Sequence, residues 1–170
     1  MSIECLAFDC FGTVFDMKSV PDAEIKAYVD HVRKADFTPY DFPDSWKLLK
    51  AHADSAEGIK MLQAAGYKCV TLSNGDAGLL AFAALVNGIE WDHIIDLAKH
   101  RAYKPNNLDA YRSVEKDLGF KPDETMLVTA NPAFGDVEGA AAVGMHSMVI
   151  RHGYPNTIIE LAKFIGCSVL

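Results

Sequence analysis

The chain has 170 residues, half of them hydrophobic and 23% charged, which suits one folded domain with a substantial core. A formal net charge of −7 argues against nucleic acid or an anionic membrane as the main partner, while a local Lys or Arg still admits a small anionic substrate. No apolar run is long enough to span a bilayer, and the first residues carry no basic segment or small-residue cleavage site, so a cytoplasmic protein without a signal peptide is expected.

In chain order, the first strand-like run covers 3–9 and ends on Asp9, and a Gly12-Thr13 turn follows at once. Residues 17–53 break the rhythm of the rest. They hold a helical stretch over about 22–35 and then an aromatic, proline-containing segment, Phe37 to Trp46. This reads as an insertion beside Asp9, a small lid or cap. The plainer reading is a surface excursion whose aromatics pack on the sheet. The segment near residue 40 is also a candidate homodimer surface. Asp54 and Glu57 have capping-box spacing and predict a helix that Gly66 ends. A strand-like run follows at 69–73, an Ala- and Leu-rich helix at 77–87 and a strand-like run at 93–97. Residues 108–118 place Leu108, Tyr111, Val114 and Leu118 on one helical face, stopped by Gly119. A strand-like run at 125–130, an Ala-rich helix at 136–143 and a last run at 146–151 come next, and Thr157 and Glu160 repeat the capping-box spacing. Strands alternating with helices predict an α/β fold, a Rossmann-like doubly wound parallel sheet with helices on both faces. The reading is a single domain over 1–170, with 17–53 inserted after strand one. Cys5, Cys10, Cys69 and Cys167 form no CxxC or zinc-like spacing and read as reduced core thiols.

Four short segments fall where strands end: Asp9 with Gly12-Thr13; Thr71-Leu72-Ser73-Asn74-Gly75; Tyr103-Lys104-Pro105; and Thr129 to Asp136, with Asn131 between. A parallel sheet gathers the carboxyl ends of its strands, so these segments can share one crevice. A carboxylate there can attack an electrophile and form an ester. Ser73 and the N–H groups after it can bind an anionic group. Lys104 can hold the charges of Asp9 and substrate together. Asp136 can position or deprotonate water. Taken singly, each residue has an ordinary reading: a surface lysine, a Ser-Asn-Gly turn, a helix N-cap. Together and in this order they predict a site.

With DCFGTVFD, LSNG, YKP and Thr-Ala-Asn with a following Asp, the chain resembles the haloacid dehalogenase (HAD) superfamily from residue 3 to about 152. Asp9 matches its nucleophile, Ser73 its second motif, Lys104 its third, and Asn131 with Asp136 its fourth. Phosphatase members carry an acid where this chain has Phe11, and a pair of acids for magnesium where it has Asn131 and Asp136. Without two of those acids, a hard-cation site is weakened. The L-2-haloacid dehalogenase branch resembles this chain more fully, including at Tyr103 and Tyr111. That resemblance implies a metal-free, cofactor-free two-step hydrolase of a small organic acid. Asp9 would displace halide, and Lys104 and Ser73 would bind the substrate carboxylate. Asn74 would lie near the halide, and Thr13 would orient the nucleophile's loop. Asp136, with Thr129 and Asn131, would direct water onto the ester. Phe11, Tyr103 and Tyr111 complete the implied site. Phe11 is tolerable because halide leaves without a proton.

The chain departs from that branch in three places. The insertion is shorter than the branch's helical cap. Arg33 is the single arginine between the first two motifs; it is a candidate halide receiver, or a solvated helix-end residue. The Asn131–Asp136 spacing looks more like that of the phosphatases, and Tyr111 stands one residue further from Lys104 than in the branch. Two other readings therefore stay open: a phosphatase or phosphonate hydrolase using magnesium through Asp9 and Asp136, and a catalytically weak HAD-fold binding protein.

Overall fold

The computed structural model describes residues 2–152 and 157–167. Five parallel strands form one sheet in the order β3-β2-β1-β4-β5: β1 Cys5–Phe8, β2 Lys68–Thr71, β3 His93–Ile94, β4 Thr125–Thr129 and β5 His146–Val149. The central strand, β1, is apolar and buried along its length, as a parallel sheet covered on both faces demands. Its side chains alternate between two cores: Leu6 and Phe8 on one face, Cys5 and Ala7 on the other. The predicted α/β fold is the observed one.

Six α-helices are described: α1 Asp22–Val32, α2 Ser55–Ala64, α3 Ala77–Val86, α4 Asp109–Leu118, α5 Asp136–Ala142 and α6 Thr157–Cys167. No helix among the described residues is long and apolar enough to cross a membrane. The strand predicted over 93–97 pairs only at 93–94, because Ile95 N–H donates to the Thr71 hydroxyl, 3.1 Å away, instead of to a strand carbonyl.

The capping signal at Asp54 is real but serves another helix. Its carboxylate makes no cap bond within α2. It accepts instead from the N–H groups of Ile158 and Ile159 (3.1 Å for the latter), capping α6 from about a hundred residues away. Gly58 lets the two helices meet, since a Cβ there would lie 2.5 Å from the Ile158 side chain. Thr157, expected as that cap, donates its hydroxyl to Arg151 O at 2.6 Å.

The 17–53 segment folds inward. Trp46, in a 3-10 turn over Asp44–Leu48, is fully buried, and Phe42 is 8% exposed. With Tyr28 of α1 they enclose Phe11, at ring-centroid distances of 5.0–5.9 Å. In the aromatic segment near residue 40, Phe42 and Trp46 are core, while Phe37 and Tyr40 are partly buried against it. Cys5, Cys10 and Cys69 are buried and unpaired, and burial pushes the Cys5 thiol up to about 12 and the other two higher still. The side chain of Cys167 lies outside the described residues.

Candidate active site

Because β2 and β4 flank β1, the first, second and fourth motif segments leave three adjacent strands at one end of the sheet. The chain runs to opposite sides of β1 at this point, which is where open α/β sheets form their crevice. Asp9 continues β1, its N–H bonded to Val128 O at 3.0 Å. One carboxylate oxygen, Oδ2, accepts three hydrogen bonds: Thr13 Oγ1 at 2.9 Å, Asn131 Nδ2 at 2.9 Å and Thr129 Oγ1 at 3.2 Å. The other, Oδ1, has Lys104 Nζ at 3.4 Å, and Asp9 lines a cavity.

Local backbone makes this convergence possible. Gly12 has φ +85°, a left-handed turn that reverses the chain after Asp9. A Cβ at Gly12 would sit 2.9 Å from Asn131 Nδ2, the amide that reaches both Asp9 and Phe11 O. Thr13, fully buried, also accepts the Ala130 N–H at 2.8 Å, so the loops after β1 and β4 are pinned to each other.

Lys104 is 1% exposed and lies between two carboxylates, 2.7 Å from Asp136 Oδ2 and 3.4 Å from Asp9 Oδ1. Burial opposes its charge, but Asp136 and then Asp9 outweigh it, and the ammonium is held above its ordinary value. Asp136 is wholly buried at the start of α5. Burial raises its carboxyl above the usual range and the Asp9 charge adds to this, while Lys104 and Tyr111 pull it down. The Tyr111 hydroxyl donates to Asp136 Oδ1 at 2.6 Å. Gly139 clears the way for that ring, since a Cβ there would be 2.4 Å from its carbons. The added residues in the Lys104–Tyr111 and Asn131–Asp136 intervals therefore do not prevent Asp136, Lys104 and Tyr111 from meeting.

A magnesium ion on Asp9 and Asp136 does not fit these residues. The Lys104 ammonium stands between the two carboxylates, Phe11 turns its ring into the aromatic cluster, and Asn131 presents an amide N–H₂ to Asp9. Among the described residues no group of three His, Cys, Asp or Glu is placed to hold a metal ion.

The remaining sequence-predicted residues lie around this center in different ways. Ser73 is buried, its Oγ accepting the Gly75 N–H at 3.3 Å. The Asn74 side chain is bonded to both backbone groups of Lys104 and donates to the Tyr28 hydroxyl at 3.0 Å. It positions Lys104 rather than facing the cavity. Tyr103 packs on Phe37, its hydroxyl accepting the Tyr40 N–H at 2.9 Å, and ties the 17–53 segment to the third motif. Arg33 lines the cavity that holds Asp9, and its Nη2 donates to Phe134 O at 3.0 Å. That cavity has a volume of about 560 Å³.

Three residues around this center were missed in the sequence. Tyr28 walls the cavity; with Ile25 and Val29 it forms an apolar face of α1 that helical spacing could have revealed. His52 and His152 are 100 residues apart and carry no local signal. Their rings stack at 3.5 Å, and their Nε2–H groups donate to the carbonyls of Gly12 (3.2 Å) and Thr13 (2.7 Å). Partial burial and then His152 lower the His52 value below that of free histidine, against the pull of Gly12 O, Asp16 and Asp54. The folded protein therefore binds that proton less readily than the unfolded chain, and stability is lost as pH falls through the ordinary histidine value near 6.5. Thermal melts between pH 8 and 5 are expected to show this fall. His52→Gln, which keeps a donor without titrating, is expected to flatten it.

No family model matches the chain. Among curated proteins, haloacetate dehalogenase H-2 of Moraxella sp. (strain B) is 25% identical over 199 aligned positions, covering 89% of this chain and 88% of that one. (S)-2-haloacid dehalogenase 4A of Burkholderia cepacia is 31% identical over 114 positions, 65% of this chain and 48% of that one. Among solved structures, the L-2-haloacid dehalogenase of Xanthobacter autotrophicus superposes with a TM-score of 0.71 at 24% identity, over 95% of this chain and 86% of that one. Another L-2-haloacid dehalogenase reaches 0.78 at 19% identity, over 98% of this chain and all of that one. The curated relatives are haloacid and haloacetate dehalogenases and the solved neighbours share this fold, so in sequence, fold and motif geometry the chain is similar to L-2-haloacid dehalogenases of the haloacid dehalogenase superfamily.

Proposed function

We propose that the protein hydrolyses 2-haloalkanoic acids through an Asp9 ester, without a metal or other cofactor. One observation carries the reading: Asp9 lines the cavity, its Oδ2 is saturated by three donors, and its Oδ1 has Lys104 as its hydrogen-bond partner among the described residues. Oδ1 attacks the halogen-bearing carbon, and the carbon–halogen electron pair leaves with halide. Oδ2 becomes the carbonyl oxygen of the ester. Water then attacks that carbonyl carbon, and the oxyanion forms on Oδ2, already held by Thr13, Thr129 and Asn131. Asp136, its basicity raised by burial, takes the proton from water and returns it to the departing 2-hydroxy acid. Lys104 keeps the two carboxylates from repelling each other before the ester forms. Tyr111 positions Asp136, Ser73 and Asn74 shape the loop that presents Lys104, and Tyr103 anchors the insertion. Arg33 is the cation lining the cavity among the described residues, and it receives an anionic group of the substrate or the departing halide. Residues 17–53 act as a reduced cap on a single domain. The buried, unpaired thiols suit a reducing, cytoplasmic setting.

The test is halide release from 2-chloropropionate with and without EDTA. Release is expected in both, at equal rates. A single turnover in ¹⁸O-labelled water is expected to leave label in the Asp9 carboxylate. Magnesium-dependent release of phosphate from an aryl phosphate, with no halide from 2-chloropropionate, would replace this reading with the phosphatase one.

A further inference from the structure

The cavity over Asp9 is larger than a three-carbon acid needs. 2-Chloropropionate has six non-hydrogen atoms; at roughly 30 Å³ each, the share of one water in the liquid, it fills about 180 Å³. The cavity holds about 560 Å³, within the range of roughly 300–1,000 Å³ typical of sites for much larger ligands.

The excess is bounded by apolar walls. Met17, Ile25 and Val29 line one side and Phe134 the other, all only partly buried, with Phe11 and Tyr28 behind them. The Tyr28 hydroxyl is already engaged by Asn74, so it presents its ring rather than a free polar group. The polar side chains on the lining are Asp9, Asn131 and Arg33. Asn131 is committed to Asp9 and Phe11 O, and Arg33, bonded through Nη2 to Phe134 O, is the cation already assigned to an anionic group of the substrate or to the halide. Beyond the reacting carbon, this surface offers nothing for a polar tail and much for a hydrocarbon one.

We infer that the site is built for 2-haloacids carrying an aliphatic tail of about three to five further methylenes, lodged between α1 and the 132–134 turn. The inference rests on the dehalogenase reading and extends it to the length of the substrate. Short 2-haloacids would react but leave part of the apolar wall to water. Each methylene buried there strengthens binding about fourfold. The gain falls mainly on KM, because the tail makes the same contacts in ground and transition states.

The experiment measures kcat/KM for halide release across 2-bromopropionate, 2-bromobutyrate, 2-bromohexanoate and 2-bromooctanoate. An increase of about 30-fold or more from the three-carbon to the six-carbon acid, carried by KM, is expected. Val29→Trp, which fills the cavity from α1, is expected to cut the hexanoate-to-propionate ratio at least about tenfold. This ratio is internal to each protein, so partial loss of folded protein does not affect it. A flat or falling series, with halide released throughout, overturns the tail site and leaves the dehalogenase reading standing. A rising series whose ratio Val29→Trp does not change overturns its placement on α1. No halide from any member of the series overturns the dehalogenase reading, and the tail site with it.

Discussion

Asp9→Asn is expected to lower halide release by at least about 10⁴-fold while leaving the fold intact. The reason is chemical. The amide has no anionic oxygen to displace halide, and none of Thr13, Thr129, Asn131 or Lys104 can take its place, because each is a donor to that carboxylate rather than a nucleophile in the cavity. Stability should barely change. Removing the charge forfeits the 3.4 Å contact with Lys104 but relieves repulsion between two buried carboxylates that share one ammonium. A melting shift within about 4 °C is expected, equivalent to roughly 1 kcal/mol for a chain of this size. Halide assay and thermal melt on the same preparation separate the two effects. Residual activity within tenfold of the parent would remove Asp9 from the mechanism.

Lys104→Met is expected to abolish activity as well, but by a different route and with a large loss of stability. It leaves Asp9 and Asp136 buried, close together and without a counter-charge. Breaking a buried pair in this way costs about 3–5 kcal/mol, a large share of the roughly 5–15 kcal/mol that holds a domain folded. Without Lys104 to pull it down, the buried Asp136 carboxyl would hold its proton to higher pH in the folded protein than in the unfolded chain. The loss should therefore be greatest at neutral pH and shrink on acidification. Adding Asp136→Asn to Lys104→Met should recover much of the stability and none of the activity. Denaturant midpoints at pH 7.5 and 5.5 for the three proteins provide the check. A Lys104→Met protein as stable as its parent would show that the ammonium does not bear the charge balance assigned to it.

Several features were legible in the chain because they are local. The apolar run ending on Asp9, the Gly12-Thr13 turn, the helical face of 108–118 and its stop at Gly119 each depend on neighbours a few residues away, and the elements appear within a few residues of their expected ends. The capping signal at Asp54 was equally visible, but its beneficiary was not. A carboxylate near a helix start accepts from whichever free N–H groups the fold brings to it, and those belong to α6.

The sequence by itself determined the alternation of strands and helices, the order of the four motif segments and the carboxylate that ends the first strand. The tertiary structure decided what each side chain does. It turned Phe42 and Trp46 inward, where burying large apolar area outweighs leaving them on a surface. It put Lys104 between two acids, committed Asn74 to the backbone of Lys104, and stacked two histidines against the Gly12-Thr13 turn. Periodicity along a chain reports which face of an element is apolar. Which atoms meet across 30 to 140 residues depends on strand order and loop closure, and these exist only once the sheet has formed.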